Sequence, residues 1–133
     1  MITQVALSTI EKSYGGYFTI SDGGIQVPIS GTYRISGSVY GRAHNVTESG
    51  ATASSIYNAN FGCYLKAGTS FATSSEILGN WWPHCGASGH CVGPVMYDLN
   101  ANDIVYLSFR SRTAACNVSP SDKATYLLVE KMP

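Results

Sequence analysis

The sequence has few charged residues and no long hydrophobic run. Charged side chains make up 12% of the 133 residues, and Lys and Arg together number eight, as do Asp and Glu. That share is about half the usual one. Without an excess of positive charge there is no field to attract a phosphate backbone, so we expect no nucleic-acid partner. No apolar run reaches the roughly 18 to 20 residues of a membrane helix, so we expect no membrane partner.

Helical periodicity is also missing. No Gly- and Pro-free window long enough for a helix repeats apolar side chains at the i, i+3, i+4, i+7 spacing of an amphipathic helix. The 14 Gly residues, with clusters of Asn, Asp, Ser and Pro, divide the chain into short segments instead. This pattern excludes βαβ units with a parallel sheet and predicts an all-β protein.

Strand patterning is what the sequence does contain. Residues 31–40 alternate apolar side chains on one face with polar ones on the other, as in a half-buried strand. Residues 103–110 repeat the pattern, and residues 124–131 are apolar on both faces. Weaker strand signals occupy residues 4–8, 17–20, 25–29, 60–67, 70–77 and 92–99. About nine short strands predict one domain, residues 1–133, built as an antiparallel sandwich or barrel.

Two stretches without strand patterning, residues 44–55 and 79–89, are long enough to be exposed functional loops. The second contains Trp81 and Trp82. Aromatic side chains dominate interface hot spots, so this pair either anchors a partner or forms a small core beneath its loop. The sequence leaves both interpretations open.

Three segments carry a resemblance to a known family. They are residues 25–35 (IQVPISGTYRI), 96–107 (MYDLNANDIVYL) and 126–129 (YLLV). In this order they resemble the entry to the first long strand, a hairpin and the closing strand of the tumour-necrosis-factor and complement globular-head superfamily. Asn102 stands where that hairpin usually has Gly, but Asn tolerates the left-handed conformation, and Asp103 can cap the turn.

The resemblance implies an antiparallel, two-sheet jelly roll of ten strands that packs as a homotrimer through aromatic and aliphatic side chains. Tyr64, Tyr106 and Tyr126 are the candidate trimer contacts, because an outward Tyr offers a broad apolar face with a polar tip. Tyr106 is opposite in parity to Val105 and Leu107 and is the main candidate.

Domains of this kind also occur in tailed-phage virions, as fibre tips and as capsid-surface proteins. A fibre tip normally ends a longer chain with a stem, so the stemless sequence favours a non-enzymatic capsid decoration (cement) protein. Such a trimer would lie on the capsid surface of the virion and bind the major capsid protein or another virion protein. The alternatives are a receptor- or glycan-binding tip, in which Trp81, Trp82 and Tyr57 contact the ligand, a secreted, extracellular complement-like module, and a monomeric ligand-binding barrel.

The cluster that most suggests chemistry is His84, Cys85, His90 and Cys91. Two thiolates and two imidazoles suit zinc, but the Cys-x-x-Cys spacing is absent, and neighbouring His and Cys cannot easily point at one ion. A disulfide between Cys85 and Cys91 and a set of free thiols are both compatible with the same residues. We expect no metal and no cofactor.

Motifs for catalysis are absent. The sequence has no His-Glu-x-x-His, no Gly-x-Ser-x-Gly and no phosphate-binding loop followed by Lys. We therefore expect no enzymatic activity, although Cys85 activated by His84 or His90 is the one catalytic arrangement that the sequence allows. Cys63 is predicted to be a small buried hydrophobe, with a bridge to Cys116 as the alternative.

Overall fold

The computed structural model describes residues 2–10, 17–43, 61–82, 88–111, 116–118 and 123–133. Within these ranges the chain forms ten strands and no helix. The strands are β1 (Thr3–Val5), β2 (Thr19–Ser21), β3 (Gly24–Gln26), β4 (Gly31–Ala43), β5 (Phe61–Gly68), β6 (Ser75–Trp82), β7 (Ser88–Leu99), β8 (Ile104–Ser111), β9 (Cys116–Val118) and β10 (Tyr126–Lys131). The predicted all-β class is confirmed.

The strands form two antiparallel sheets. The six-stranded sheet has the order β2-β3-β8-β5-β6, with β1 also paired to β8, and the four-stranded sheet has the order β10-β4-β7, with β9 also paired to β4. Three of the pairings are nested, because β5 pairs with β6, β4 with β7 and β3 with β8. The segments β3–β5 and β6–β8 therefore pair along their length as one antiparallel ribbon. This ribbon starts in the six-stranded sheet with β3–β8, crosses to the four-stranded sheet with β4–β7, and returns with β5–β6.

β4 lies at the centre of the four-stranded sheet, between β10 and β7. Its Tyr33, Ile35 and Val39 are fully buried, whereas Arg34 between them is exposed. This alternation confirms the strand predicted over residues 31–40, which continues to Ala43.

The core fills the space between the two sheets. Gly37 of β4 makes room for the opposing sheet, since a Cβ there would lie 2.8 Å from Leu107 Cδ1 and 3.3 Å from Leu65 Cδ2. Both Leu side chains are fully buried, and burial of one such side chain stabilises a fold by about 1.5–3 kcal/mol. Apolar contact between the sheets therefore holds them together.

β6 differs from its predicted position. The weak strand signal over residues 70–77 and the loop over 79–89 give way to a turn at 71–73 followed by a strand over Ser75–Trp82. A residue distant in sequence stabilises this turn, because the Phe71 amide donates a 3.1 Å hydrogen bond to Asp22 Oδ2. A second departure is β9, which lies where the sequence indicates only a polar loop.

The hairpin between β7 and β8 confirms two expectations. Asn102 has a φ of 71°, the left-handed conformation that Gly usually supplies. Asp103 caps the turn, because its Oδ2 accepts a 2.9 Å hydrogen bond from the Asn100 amide. The Asn102 amide also donates to the Val27 carbonyl at 2.9 Å, which connects the turn to the segment after β3.

We predict that Asn102→Ala lowers the free energy of unfolding by about 1 kcal/mol, because Ala tolerates the left-handed conformation less well than Asn. Asn102→Gly should leave stability nearly unchanged and is the matched control. Urea unfolding followed by circular dichroism measures both. Equal loss of stability in the two variants would contradict the role assigned to the backbone conformation.

Candidate interaction surface

The outer face of the four-stranded sheet carries large exposed apolar side chains. Tyr126 and Leu128 of β10 and Met96 of β7 are 44%, 48% and 53% exposed. In the register of β10 against β4, Tyr126 lies opposite Ser38 and Leu128 opposite Ser36, both on the outward side of β4. We name these five residues the β10–β4–β7 face. Ser36 and Ser38 lie on its middle strand, where Ser38 is covered by its neighbours, and Met96 is paired across the sheet with Arg34.

Cys91 lies beside Tyr126 on this face. It is paired across the sheet with Ser38, which is paired on its other side with Tyr126. Partial burial, together with the charge and hydrogen bond of the Cys91 side chain, raises the pKa of Tyr126 above its usual value. Tyr126 is therefore neutral at physiological pH and presents an uncharged ring.

One end of the face is polar. Arg34 and Glu130 form an ion pair of 3.9 Å, with both side chains about half exposed. The Thr32 hydroxyl donates a hydrogen bond to Asp98 Oδ1 nearby. An exposed ion pair contributes only about 0–1 kcal/mol to stability. Arg34 is also the cross-strand partner of Met96, so the ion pair adjoins that apolar side chain.

The other two predicted trimer contacts belong to the six-stranded sheet and are buried. Tyr106 is 0% exposed, because its hydroxyl donates to Asp22 Oδ2 at 2.9 Å and the Phe71 ring packs on it at 5.4 Å. Tyr64 is 5% exposed and contacts Trp81 edge to face. Each of these two Tyr side chains is covered by its own chain and does not present the outward ring on which the sequence prediction depends.

The two Trp residues take one role each. Both lie in β6 rather than in a loop, so their side chains point to opposite faces of the sheet. Trp82 packs against the core and contacts His90 with ring centroids 4.7 Å apart. Trp81 is 43% exposed on the outer face. Tyr57, the third predicted ligand contact, lies outside the described residues.

β7 separates the members of the His and Cys cluster. His90 is buried and packs against Phe61 with ring centroids 4.7 Å apart, whereas the next residue, Cys91, points to the outer face and is exposed. These two side chains therefore cannot bind the same ion. Cys91 is a free thiol, and its predicted disulfide partner Cys85 lies outside the described residues, as does His84.

Cys63 is the small buried hydrophobe that its parity predicts. It is a free thiol with no exposed surface. Desolvation by burial, followed by the nearby Cys91, raises the pKa of Cys63 to about 12. A thiol with so high a pKa is protonated near neutral pH and is a poor nucleophile.

We predict that iodoacetamide in mildly alkaline buffer leaves Cys63 of the folded protein unmodified, because the thiol is both inaccessible and protonated. In concentrated guanidinium the same residue should react fully, which provides the internal control. Peptide mapping by mass spectrometry reads each Cys separately. Native-state alkylation of Cys63 at the rate of a free thiol would contradict its buried position.

No protein-family model matches this chain, and no curated protein matches it in sequence. No helix in the described part of the chain is both long and apolar enough to span a bilayer. Among the described residues, no group of three or more His, Cys, Asp or Glu side chains is arranged to hold a metal ion.

Proposed function

We propose that this protein is a non-enzymatic structural subunit: a homotrimer of jelly-roll domains that assembles through the β10–β4–β7 face and decorates a phage capsid. The observation that carries the proposal is the exposed apolar surface of Tyr126 and Leu128 on β10, together with the exposed Met96 on β7 at the other side of β4. Several large apolar side chains exposed on one sheet face of a soluble protein indicate a binding site more strongly than single exposed ones do.

The strand pairing supports the jelly-roll part of the proposal. A jelly roll is an antiparallel ribbon wrapped into two facing sheets. The nested pairs β3–β8, β4–β7 and β5–β6, which alternate between the two sheets, follow that arrangement. The resemblance of residues 25–35, 96–107 and 126–129 to trimeric jelly rolls points in the same direction.

The chemistry of the face supports assembly with identical copies. Removing a side chain such as Leu128 from water contributes about 1.5–3 kcal/mol, and a closed three-fold ring repeats each contact three times. Tyr126 suits an interface because its ring packs against apolar atoms while its hydroxyl keeps a hydrogen bond. The ion pair of Arg34 and Glu130 at one end limits how the copies align.

Capsid decoration is the use of such a trimer that the resemblance favours. Three identical copies present the same outer loops three times, so individually weak contacts with capsid subunits combine through multivalency. Capsid decoration requires a contact surface that is repeated in each subunit, and it requires no reactive side chain. A protonated, buried Cys63 and an inward His90 are consistent with it.

We predict that native mass spectrometry and sedimentation give a particle of about 43 kDa, three times the 14.2 kDa of one chain. Leu128→Asp should convert it to monomers, because a carboxylate would be buried without a partner in each interface. Ile29→Asp is the matched control, since Ile29 is 56% exposed and lies outside the face.

Both variants must retain the β-sheet dichroism of the parent. A parent protein that is monomeric at tens of micromolar would contradict the proposed trimer. A Leu128→Asp variant that stays as large as the parent, while the Ile29→Asp control dissociates, would move the interface to another surface.

We further predict that the purified trimer binds preformed capsids of its own phage and raises their rupture temperature. The monomeric Leu128→Asp variant should bind much more weakly, because it loses multivalency. Cosedimentation and thermal release of packaged DNA measure the two effects. A stable trimer that neither binds nor protects capsids would reject decoration while leaving the assembly intact.

A further inference from the structure

A second surface surrounds Trp81 on the outer face of the six-stranded sheet. Trp81 is 43% exposed, and its ring centroid lies 5.8 Å from that of Tyr64 in an edge-to-face contact. The guanidinium of Arg110 lies over the indole, with Cζ 5.9 Å from the ring centroid. We name Trp81, Tyr64, Arg110 and the neighbouring Glu76 the Trp81 platform, in which Trp81 offers the exposed ring and the buried Tyr64 supports it. It lies on the opposite side of the sandwich from the β10–β4–β7 face.

Two glycines give the platform a rigid base. Gly62 pairs directly with Trp81 across the sheet, and Gly79 pairs with Tyr64. A Cβ at Gly79 would lie 2.5 Å from Tyr64 Cδ1, and one at Gly62 would lie 2.8 Å from Tyr64 Cε2 and 3.0 Å from Trp81 Cε2. The rings therefore pack directly on the glycine backbone, as aromatic side chains do over glycine in other sheets. A side chain held in this way loses little entropy when a ligand binds.

Polar groups of both kinds border this apolar surface. Arg110 supplies hydrogen-bond donors at the indole, and Glu76 supplies acceptors at the side of Tyr64, where its Oε1 would lie 2.5 Å from a Cβ on Gly79. Glu76 also raises the pKa of Tyr64, although burial contributes more. Among the described residues, no group accepts a hydrogen bond from the indole Nε1 of Trp81. An indole N–H is a donor that an oxygen atom of a ligand can accept.

We propose that the Trp81 platform binds a neutral carbohydrate. A pyranose ring has an apolar C–H face that packs on an aromatic ring and a rim of hydroxyls that both donate and accept hydrogen bonds. Arg110, Glu76 and the indole N–H match that rim, whereas an apolar peptide would leave the two charged groups without partners. The platform contains one cation, Arg110, and one anion, Glu76. This balance of charge favours a neutral ligand over a phosphate. The site is independent of the trimer contact.

The test uses the full chain and a panel of soluble oligosaccharides of glucose, galactose, mannose and N-acetylglucosamine. The protein contains two Trp, so its NMR spectrum has two indole N–H signals, and Trp82, which is partly buried against the core, serves as an internal reference. We expect a panel member to shift the Trp81 signal and leave the Trp82 signal in place. Trp81→Ala should weaken binding at least tenfold, and Arg110→Gln should weaken it several-fold.

Ile29→Ala, which is outside both the Trp81 platform and the β10–β4–β7 face, is the matched control and should bind the saccharide as the parent does. The Trp82 signal reports whether each variant remains folded. Two outcomes would overturn the proposal: no saccharide in the panel shifts the Trp81 signal, or folded Trp81→Ala binds with unchanged affinity. A folded Ile29→Ala variant that loses saccharide binding would place the site away from Trp81 and would also reject the Trp81 platform.

Discussion

The contact between β4 and the six-stranded sheet at Gly37 is the constraint on which the other features depend. Leu107 and Leu65 of the opposing sheet fill the space that a side chain at position 37 would occupy. Because side chains alternate along a strand, a shift of β4 by one residue would expose Ile35 and bury its polar neighbours. The position of β4 is therefore fixed by packing, and so is the set of side chains that the four-stranded sheet presents to solvent.

The two sheets cover their outer faces differently, and this difference gives the molecule two distinct surfaces. In the six-stranded sheet, Phe71 packs over Tyr106, and Trp81 packs beside Tyr64, so the chain itself covers most of that face. The middle strand of the four-stranded sheet carries small serines, and the larger side chains of β10 remain exposed. Exposed apolar side chains are thus left on one side, and one exposed indole among polar groups is left on the other.

Alternation in the sequence predicts the fold well where one face of a strand is buried, as in β4 and β8. The residue types of the β7–β8 hairpin also predict the left-handed turn at Asn102, because turn chemistry is local.

The burial of Tyr106 could not be predicted from alternation. Its parity places it away from the core residues, but its cover comes from Asp22 and Phe71, which are distant in sequence. The weak signal for β6 had a related cause, since Gly and Asn inside it resemble loop residues.

Strand geometry also explains why clusters that are close in sequence did not become sites. His90 and Cys91 are neighbours in the chain but lie on opposite faces of β7, and Trp81 and Trp82 are separated in the same way on β6. The residues that do meet come from different strands, as Trp81 and Gly62 do. In a sandwich of this kind, each strand contributes alternate residues to the core and to a surface. Binding surfaces therefore arise from cross-strand rows, which is why the functions proposed for this protein depend on exposed faces rather than on a converging set of reactive groups.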